Sequence, residues 1–248
     1  MAISNIGKDG FSWFVGVVED REDPLKLGRV RVRVHNVHTE NKALLKTDEL
    51  PWANVLNPIN SASLKGVGIS PTGIAVGTTV VGFFMDGNDS NLPVVLGTLV
   101  GIPDNKTENH DVPKEAREIN SINKELTGPE PASAYGAKYP YNKVIRTEKG
   151  HVIEIDDTPD KERIHIYHKS GTYTEVNKDG RKVSKVVNDD FDIVVKNREV
   201  YVGGNVNIKV KGNVTLTVDG NMSSTIGGTY TVKSGGVMTF KAPKINLN

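Results

Sequence analysis

The stretch VGGNVNIKVKGNVTLTVDGNM, Val202–Met222, decides how this chain is read. Apolar residues occupy every second position, and a glycine returns at every eighth. Alternation with period two marks β structure, because successive side chains on a strand point to opposite faces. The alternation runs from Val200 to Phe240, and Gly204, Gly212, Gly220, Gly228 and Gly236 keep the spacing of eight without a slip. Upstream the octad continues in degenerate form through Lys196 and Asn188 to Gly180. A single flat strand of this length would extend about 130 Å at ~3.3 Å per residue, far beyond ordinary strands. The five glycines are therefore predicted to be corners. They fall on the inward parity, so the missing side chain relieves crowding as well as freeing the backbone.

One octad supplies one short strand per corner and a few inward apolar side chains. Such a ribbon has no second layer against which to bury them. Several identical chains wound about one axis remove the difficulty, and a threefold arrangement is the simplest with a filled core. The repeat thus predicts an all-β homotrimer whose C-terminal part is an intertwined, triple-stranded β-helix. The pattern stops in FKAPKINLN, Phe240–Asn248. Pro243 interrupts the strand, Lys244 and Asn246 take even positions, and Ile245 and Leu247 take odd ones. A blunt end of three open strands invites pairing unless something caps it.

Working outward, the first hundred residues read as short strands. FSWFVGVVED (Phe11–Asp20) is aromatic and β-branched, and DPLKLG (Asp23–Gly28) is a turn. RVRVRV follows, with Val30, Val32 and Val34 on one face and Arg29, Arg31 and Arg33 on the other. PWANVL (Pro51–Leu56) is another strand, and the run from Gly77 to Gly101 holds two more around an Asp86-Gly87 turn. Strands at this spacing predict a small closed barrel or sandwich. Residues 102–140 differ, being polar with five prolines. They read as a linker or strap with at most one short helix, KEAREINSINKEL (Lys114–Leu126). From Tyr141 strands resume, with a turn over Asp157–Asp160 and glycines at Gly171 and Gly180 closing later ones.

Bulk properties exclude several functions. The 248 residues carry a net charge of +1, which gives no overall pull toward nucleic acid or anionic membrane. There is no cysteine, which removes disulfides and thiolate metal sites. The N-terminal residues lack the basic and apolar regions of a secretory signal, and no stretch approaches the ~20 apolar residues of a spanning helix. His35 and His38, like His165 and His168, stand three apart on strands. That spacing sends the two side chains to opposite faces, so neither pair is read as a metal site. Asp156-Asp157 before Thr158-Pro159 reads as a turn in preference to a catalytic carboxylate pair, and Glu19-Asp20 is treated alike. No Ser-His-Asp set is visible, and GTTVVG (Gly77–Gly82) lacks the lysine and spacing of a phosphate loop.

Three segments together resemble the central spike proteins of contractile-tailed phage baseplates and the related valine-glycine repeat proteins of type VI secretion. DPLKLGRVRVRV with PWANVL resembles the family's N-terminal OB-fold domain. TEKGHVIEIDDTPDKERIHIYHKSGTYTEVNKDG (Thr147–Gly180) resembles the lead-in to its β-helix, and the octads resemble the β-helix itself. The resemblance implies an OB-fold collar over residues 1–101, a linker or strap over 102–140 and a needle over 141–248. It implies a structural, non-enzymatic role, in which sheath contraction drives a trimeric needle through the host outer membrane. The collar is expected to sit on a baseplate hub protein, and the protein is expected in the virion tail, made in host cytoplasm without a signal peptide.

Departures sharpen these expectations. T-even-type relatives carry a lysozyme domain between OB-fold and β-helix, and the forty-residue interval here implies none. The long hub domains of the secretion relatives are absent too. Some short spikes end in a His-x-His iron site, but no histidine follows His168. No metal or cofactor is therefore expected. Pro243, Lys244, Ile245, Asn246, Leu247 and Asn248 are instead expected to dock a separate PAAR-type tip protein. Two alternatives are a type VI-like spike for effector delivery and an OB-fold nucleic-acid binder with a solenoid tail. For the latter, Arg29, Arg31 and Arg33 would meet phosphates. A solvated strand face or a protein contact is the weightier reading of those arginines.

Overall fold

A computed structural model describes residues 12–101 and 131–246. The expected helix Lys114–Leu126 lies outside them, as do Leu247 and Asn248. The described fold is all-β, with two 3-10 turns, Thr47–Glu49 and Gly87–Asp89, and no α-helix.

Five strands close the barrel: β1 Trp13–Asp20, β2 Val30–Val34, β3 Trp52–Val55, β4 Thr79–Phe84 and β5 Pro93–Thr98. Their order around it is β1-β2-β3-β5-β4, with only the β3–β5 pair parallel. This is the five-stranded architecture of an OB-fold. The alternation in RVRVRV is realised as read. Val30, Val32 and Val34 enter the core with Phe14, Val18, Ala53, Val80, Phe84 and Val95. Phe14 and Phe84 pack with ring centroids 4.9 Å apart. Gly82 lets that ring lie flat on β4: a Cβ there would sit 2.1 Å from the Val94 carbonyl oxygen and 2.5 Å from Phe14 Cζ.

A second sheet is a plain antiparallel meander of β6 Asn142–Arg146, β7 Val152–Asp156, β8 Arg163–Tyr167, β9 Tyr173–Asn177 and β10 Lys182–Lys185. Tight turns join its strands, and Gly150, Gly171 and Gly180 take positive φ at three of them (87°, 94° and 76°). The β7–β8 turn spans Asp157–Asp160, with Lys161 N–H donating to the Thr158 carbonyl at 2.9 Å. Residues 132–138 lie along one face of this sheet.

The chain divides into two compact units, residues 1–190 and 191–248. In the second unit the described residues form no strand ladder, and every one is exposed. Its backbone is not featureless. Bends fall at residue pairs 195–196, 203–204, 211–212, 219–220, 227–228 and 235–236, and again at 243, following one at 187–188 near the end of the first unit. The interval is eight throughout, and the phase is that of the glycines.

Candidate functional site

The surfaces that could join this molecule to others are its candidate site. The first is the octad segment. Gly204, Gly212, Gly220, Gly228 and Gly236 each stand at the second residue of a bend. A Cβ added at any of them would meet nothing within 4 Å in the single chain. The alternating apolar residues are equally uncovered: Ile208 is 84% exposed, Leu216 70% and Tyr230 71%. Local polar contacts are few and short in range, such as the Arg198–Asp192 ion pair and Tyr201 Oη donating to Glu199 at 3.1 Å. A run of β-branched residues that is bent on an eight-residue beat and buries nothing is a surface waiting for partners. Of the expected tip-docking residues, Pro243, Lys244, Ile245 and Asn246 continue this exposed segment, with the last bend at Pro243.

The second surface is the meander sheet, whose two faces have opposite chemistry. Val152, Glu154 and Asp156 of β7, Arg163, His165 and Tyr167 of β8, and Tyr173 and Glu175 of β9 share the buried face. Register puts Glu154, His165 and Glu175 side by side across three strands. Arg163 donates to both Glu154 and Glu175, the latter at 2.8 Å, and Asn142 Nδ2 donates to Glu154 at 3.0 Å. The strap closes the network. Ser133 Oγ and Ala134 N–H donate to Glu175 at 2.7 and 3.0 Å, and the Tyr135 ring centroid lies 4.9 Å from the Arg163 guanidinium carbon. Burial pushes the Glu175 carboxyl up, but Ala134, Ser133 and Arg163 donate to its charged form and hold it below the ordinary carboxylate range. His165 is fully buried between Tyr167 and Tyr173, with Nδ1 3.6 Å from Glu154. His168 is exposed on the opposite face, where its ring stacks near His151 with centroids 4.4 Å apart. Spacing of three on a strand does separate the two histidines. The outward face carries Ile145, Ile153, Ile155, Ile164 and Ile166.

On the barrel, the arginine row differs from the expected solvated face. Arg33 is buried and clamps Glu19 through Nε at 2.8 Å and Nη2 at 3.0 Å, while also donating to the Thr39 and Leu45 carbonyls. These bonds, with help from Lys42 and Thr47, hold the Glu19 carboxyl down at about 2 against an opposing desolvation. Arg29 grips Asp23 at 2.6 and 3.1 Å, and Leu25 and Leu27 N–H add to it. The Arg29 contact, reinforced by those amides, holds the Asp23 carboxyl far below its usual range. Arg31 stacks on Trp52 at 4.6 Å and donates to the Thr47 carbonyl at 3.1 Å. Acidic partners outside the core, invisible in the strand's own alternation, convert the row into clamps on the turn after β1 and the β2–β3 loop. Cations already neutralised in this way offer little to a phosphate backbone. Among the described residues no cluster of His, Asp or Glu could hold a metal ion. No helix among them is long and apolar enough to cross a membrane.

A closed five-stranded barrel, a strapped meander and an octad segment with no cover of its own define an OB-fold protein with a repetitive tail. Comparison with known proteins agrees at both ends. The family model for the Gp5 N-terminal OB domain matches residues 34–192, and the Gp5 C-terminal repeat matches in three copies over residues 204–227. Protein Gp5 of Vibrio phage KVP40 (isolate Vibrio parahaemolyticus/Japan/Matsuzaki/1991) is 34% identical over 270 residues, covering 82% of this chain and 64% of that protein. The pre-baseplate central spike protein Gp5 of Enterobacteria phage T4 is 50% identical over 99 residues, covering 38% of this chain and 17% of the T4 protein. The chain therefore spans less than two thirds of the length of either relative. It belongs to the Gp5 family.

Proposed function

We propose that this protein is the central spike of a contractile phage tail baseplate, acting as a homotrimer. Residues 1–101 serve as the collar on a hub protein, residues 102–140 as a strap, and residues 141–248 as the needle, with the meander as its lead-in. Three octad segments wind into a triple-stranded β-helix, in which the bends at Gly204, Gly212, Gly220, Gly228 and Gly236 approach the axis. Sheath contraction drives the needle through the host outer membrane, and Pro243–Asn248 dock a PAAR-type tip protein. The chain works mechanically and without catalysis, from a place in the virion tail.

One observation carries this reading. The octad segment bends every eight residues and leaves all its alternating apolar side chains uncovered. A lone chain gains nothing from that arrangement, whereas three interleaved chains cover each other's apolar row and complete each other's ladders. Burial of that extent with interchain pairing gives slow unfolding. The test is an unboiled denaturing gel beside native mass spectrometry. A resistant band at three times the 27.0 kDa chain mass is expected. A purely monomeric protein in both measurements overturns the reading. Purified protein should also leave murein intact, and measurable hydrolysis would refute the non-enzymatic assignment.

A further inference from the structure

The net charge of +1 conceals a division of charge along the chain. Residues 191–248 carry seven basic side chains and three acidic ones, a net +4, which leaves residues 1–190 at −3. Two of those acids, Asp192 and Glu199, stand at the start of the octad unit, where Asp192 pairs with Arg198. Asp219 is the third. Residues 220–248 hold Lys233, Lys241 and Lys244 and no acidic side chain. All three lysines are exposed.

Their placement follows the repeat. Lys209, Lys233 and Lys241 are each the fifth residue after a corner glycine, namely Gly204, Gly228 and Gly236. Thr217 and Thr225 hold the same place in the two octads between. These positions have the outward parity. Residues of equal octad phase recur at equivalent points of a coil, so successive octads build a column, Lys-Thr-Thr-Lys-Lys, with steps of about 4.8 Å at strand spacing. The column rests on the trimeric β-helix proposed above; the division of charge does not. Serine, threonine and asparagine fill most of the other outward positions from Asn205 to Thr239. Such groups bring no counter-charge to the ammonium groups and can donate hydrogen bonds to the oxygens of an arriving anion.

We infer that the outward wall of residues 220–248 is a cationic docking surface for a membrane that bears phosphate headgroups. Lysine suits this partner, being a compact point charge on a flexible stem that meets a plane of phosphates without a fixed geometry. Each lysine near an anionic lipid surface strengthens association about fivefold. A trimer brings nine such lysines together. A membrane is also the surface that the proposed needle meets. Single-stranded nucleic acid fits less well, because it calls for aromatic platforms among the cations. The outward parity carries no aromatic residue between Tyr201 and Lys241.

The full-length protein is floated with vesicles of phosphatidylethanolamine containing about 30% phosphatidylglycerol, with phosphatidylcholine vesicles as the neutral control, while native mass reports the oligomer. Association at least about tenfold tighter with the anionic vesicles is expected, and it should be lost as salt rises from about 0.05 to 0.5 M. The triple variant K233T/K241T/K244T should bind the anionic vesicles at least about tenfold more weakly while the unboiled gel keeps its trimer band. Threonine is the residue that already stands at this phase at 217 and 225. In the opposite sense, T217K/T225K should tighten binding about tenfold, and an unchanged affinity in that variant counts against the surface. Equal association with both kinds of vesicle, or a triple variant that binds as the parent does, overturns this inference and leaves the trimeric needle standing. A monomer that still needs the three lysines to bind keeps the docking surface and overturns the trimer and the column. Release by inorganic phosphate at matched ionic strength would make the site one for a free ion and overturns the membrane. Tighter binding to single-stranded or duplex DNA than to the vesicles at equal salt makes nucleic acid the partner and also overturns it.

Discussion

Arg163 on β8 lies beneath Tyr135 of the strap, its guanidinium carbon 4.9 Å from the ring centroid, while its nitrogens hold Glu154 and Glu175. One buried cation thus ties the strap to three strands of the sheet. Removing it leaves two buried carboxylates without their cation. R163M should destabilise the sheet by about 3–5 kcal/mol, the usual cost of breaking a buried pair from one side. Hydrogen exchange in β7–β9 should rise, and the strap should become open to proteases. Combining R163M with E154Q and E175Q should recover a large part of the loss, because the cost comes from uncompensated charge. Failure of that recovery would mean that Arg163 acts mainly through packing.

The barrel should lose stability in acid through Glu19. Its carboxyl is held at about 2, below its ordinary value of 4.5, chiefly by Arg33. A carboxyl with a depressed folded-state pKa contributes fully above its unfolded value, and the contribution is lost as the pH falls through the folded one. Barrel stability should therefore drop between about pH 4.5 and pH 2. Trp13 and Trp52 are the only two tryptophans, and both lie in the barrel, so fluorescence-detected denaturation reads this unit alone. E19Q should cost about 3 kcal/mol at neutral pH, since Arg33 is left buried beside a neutral partner, and should flatten the acid slope. An E19Q profile that still falls steeply over this interval would shift the effect to Asp23.

Gly82→Ala offers a test of close packing in the barrel. The new methyl would meet backbone, the Val94 carbonyl oxygen at 2.1 Å, and not the movable end of a side chain. β4 and β5 would have to part, and Phe14 would leave its place over the strand. A loss of about 3 kcal/mol or more in tryptophan-detected unfolding is expected. A loss below 1 kcal/mol would show that the barrel yields more readily than its packing implies.

How much of this was legible beforehand follows residue chemistry. Val30, Val32 and Val34 reached the core as read, because a half-buried strand states its inward parity in its own alternation. The bends over the octads keep the spacing of eight that the glycines already display in the sequence. The fate of Arg29, Arg31 and Arg33 was not, since their partners Asp23, Asp20 and Glu19 come from β1 and the turn after it. The meander hid more. HVIEID and ERIHIY alternate well enough to predict strands, yet alternation alone does not say which parity is buried. Glu154, Arg163, His165 and Glu175 become an acceptable interior only when register aligns them and the strap covers them. The one hint was four acids and bases at the same parity of successive strands, a pattern that requires the strand pairing to be known first.

Gly212 separates what a single chain needs from what an assembly needs. In the single chain a Cβ at this corner meets nothing within 4 Å, and residue 212 belongs to a different compact unit from the barrel strands. G212V should therefore leave tryptophan-detected barrel unfolding unchanged, within about 0.5 kcal/mol. In a threefold β-helix the same position approaches two symmetry mates, and three valines would compete for the axis. The unboiled gel should then lose its trimer band, or the band should disappear at a markedly lower temperature. A paired control, T215V in the same octad, sits on the outward parity and should keep the band. Equal resistance of G212V and the parent protein would show that the eight-residue glycine beat has some purpose other than close approach at a shared axis.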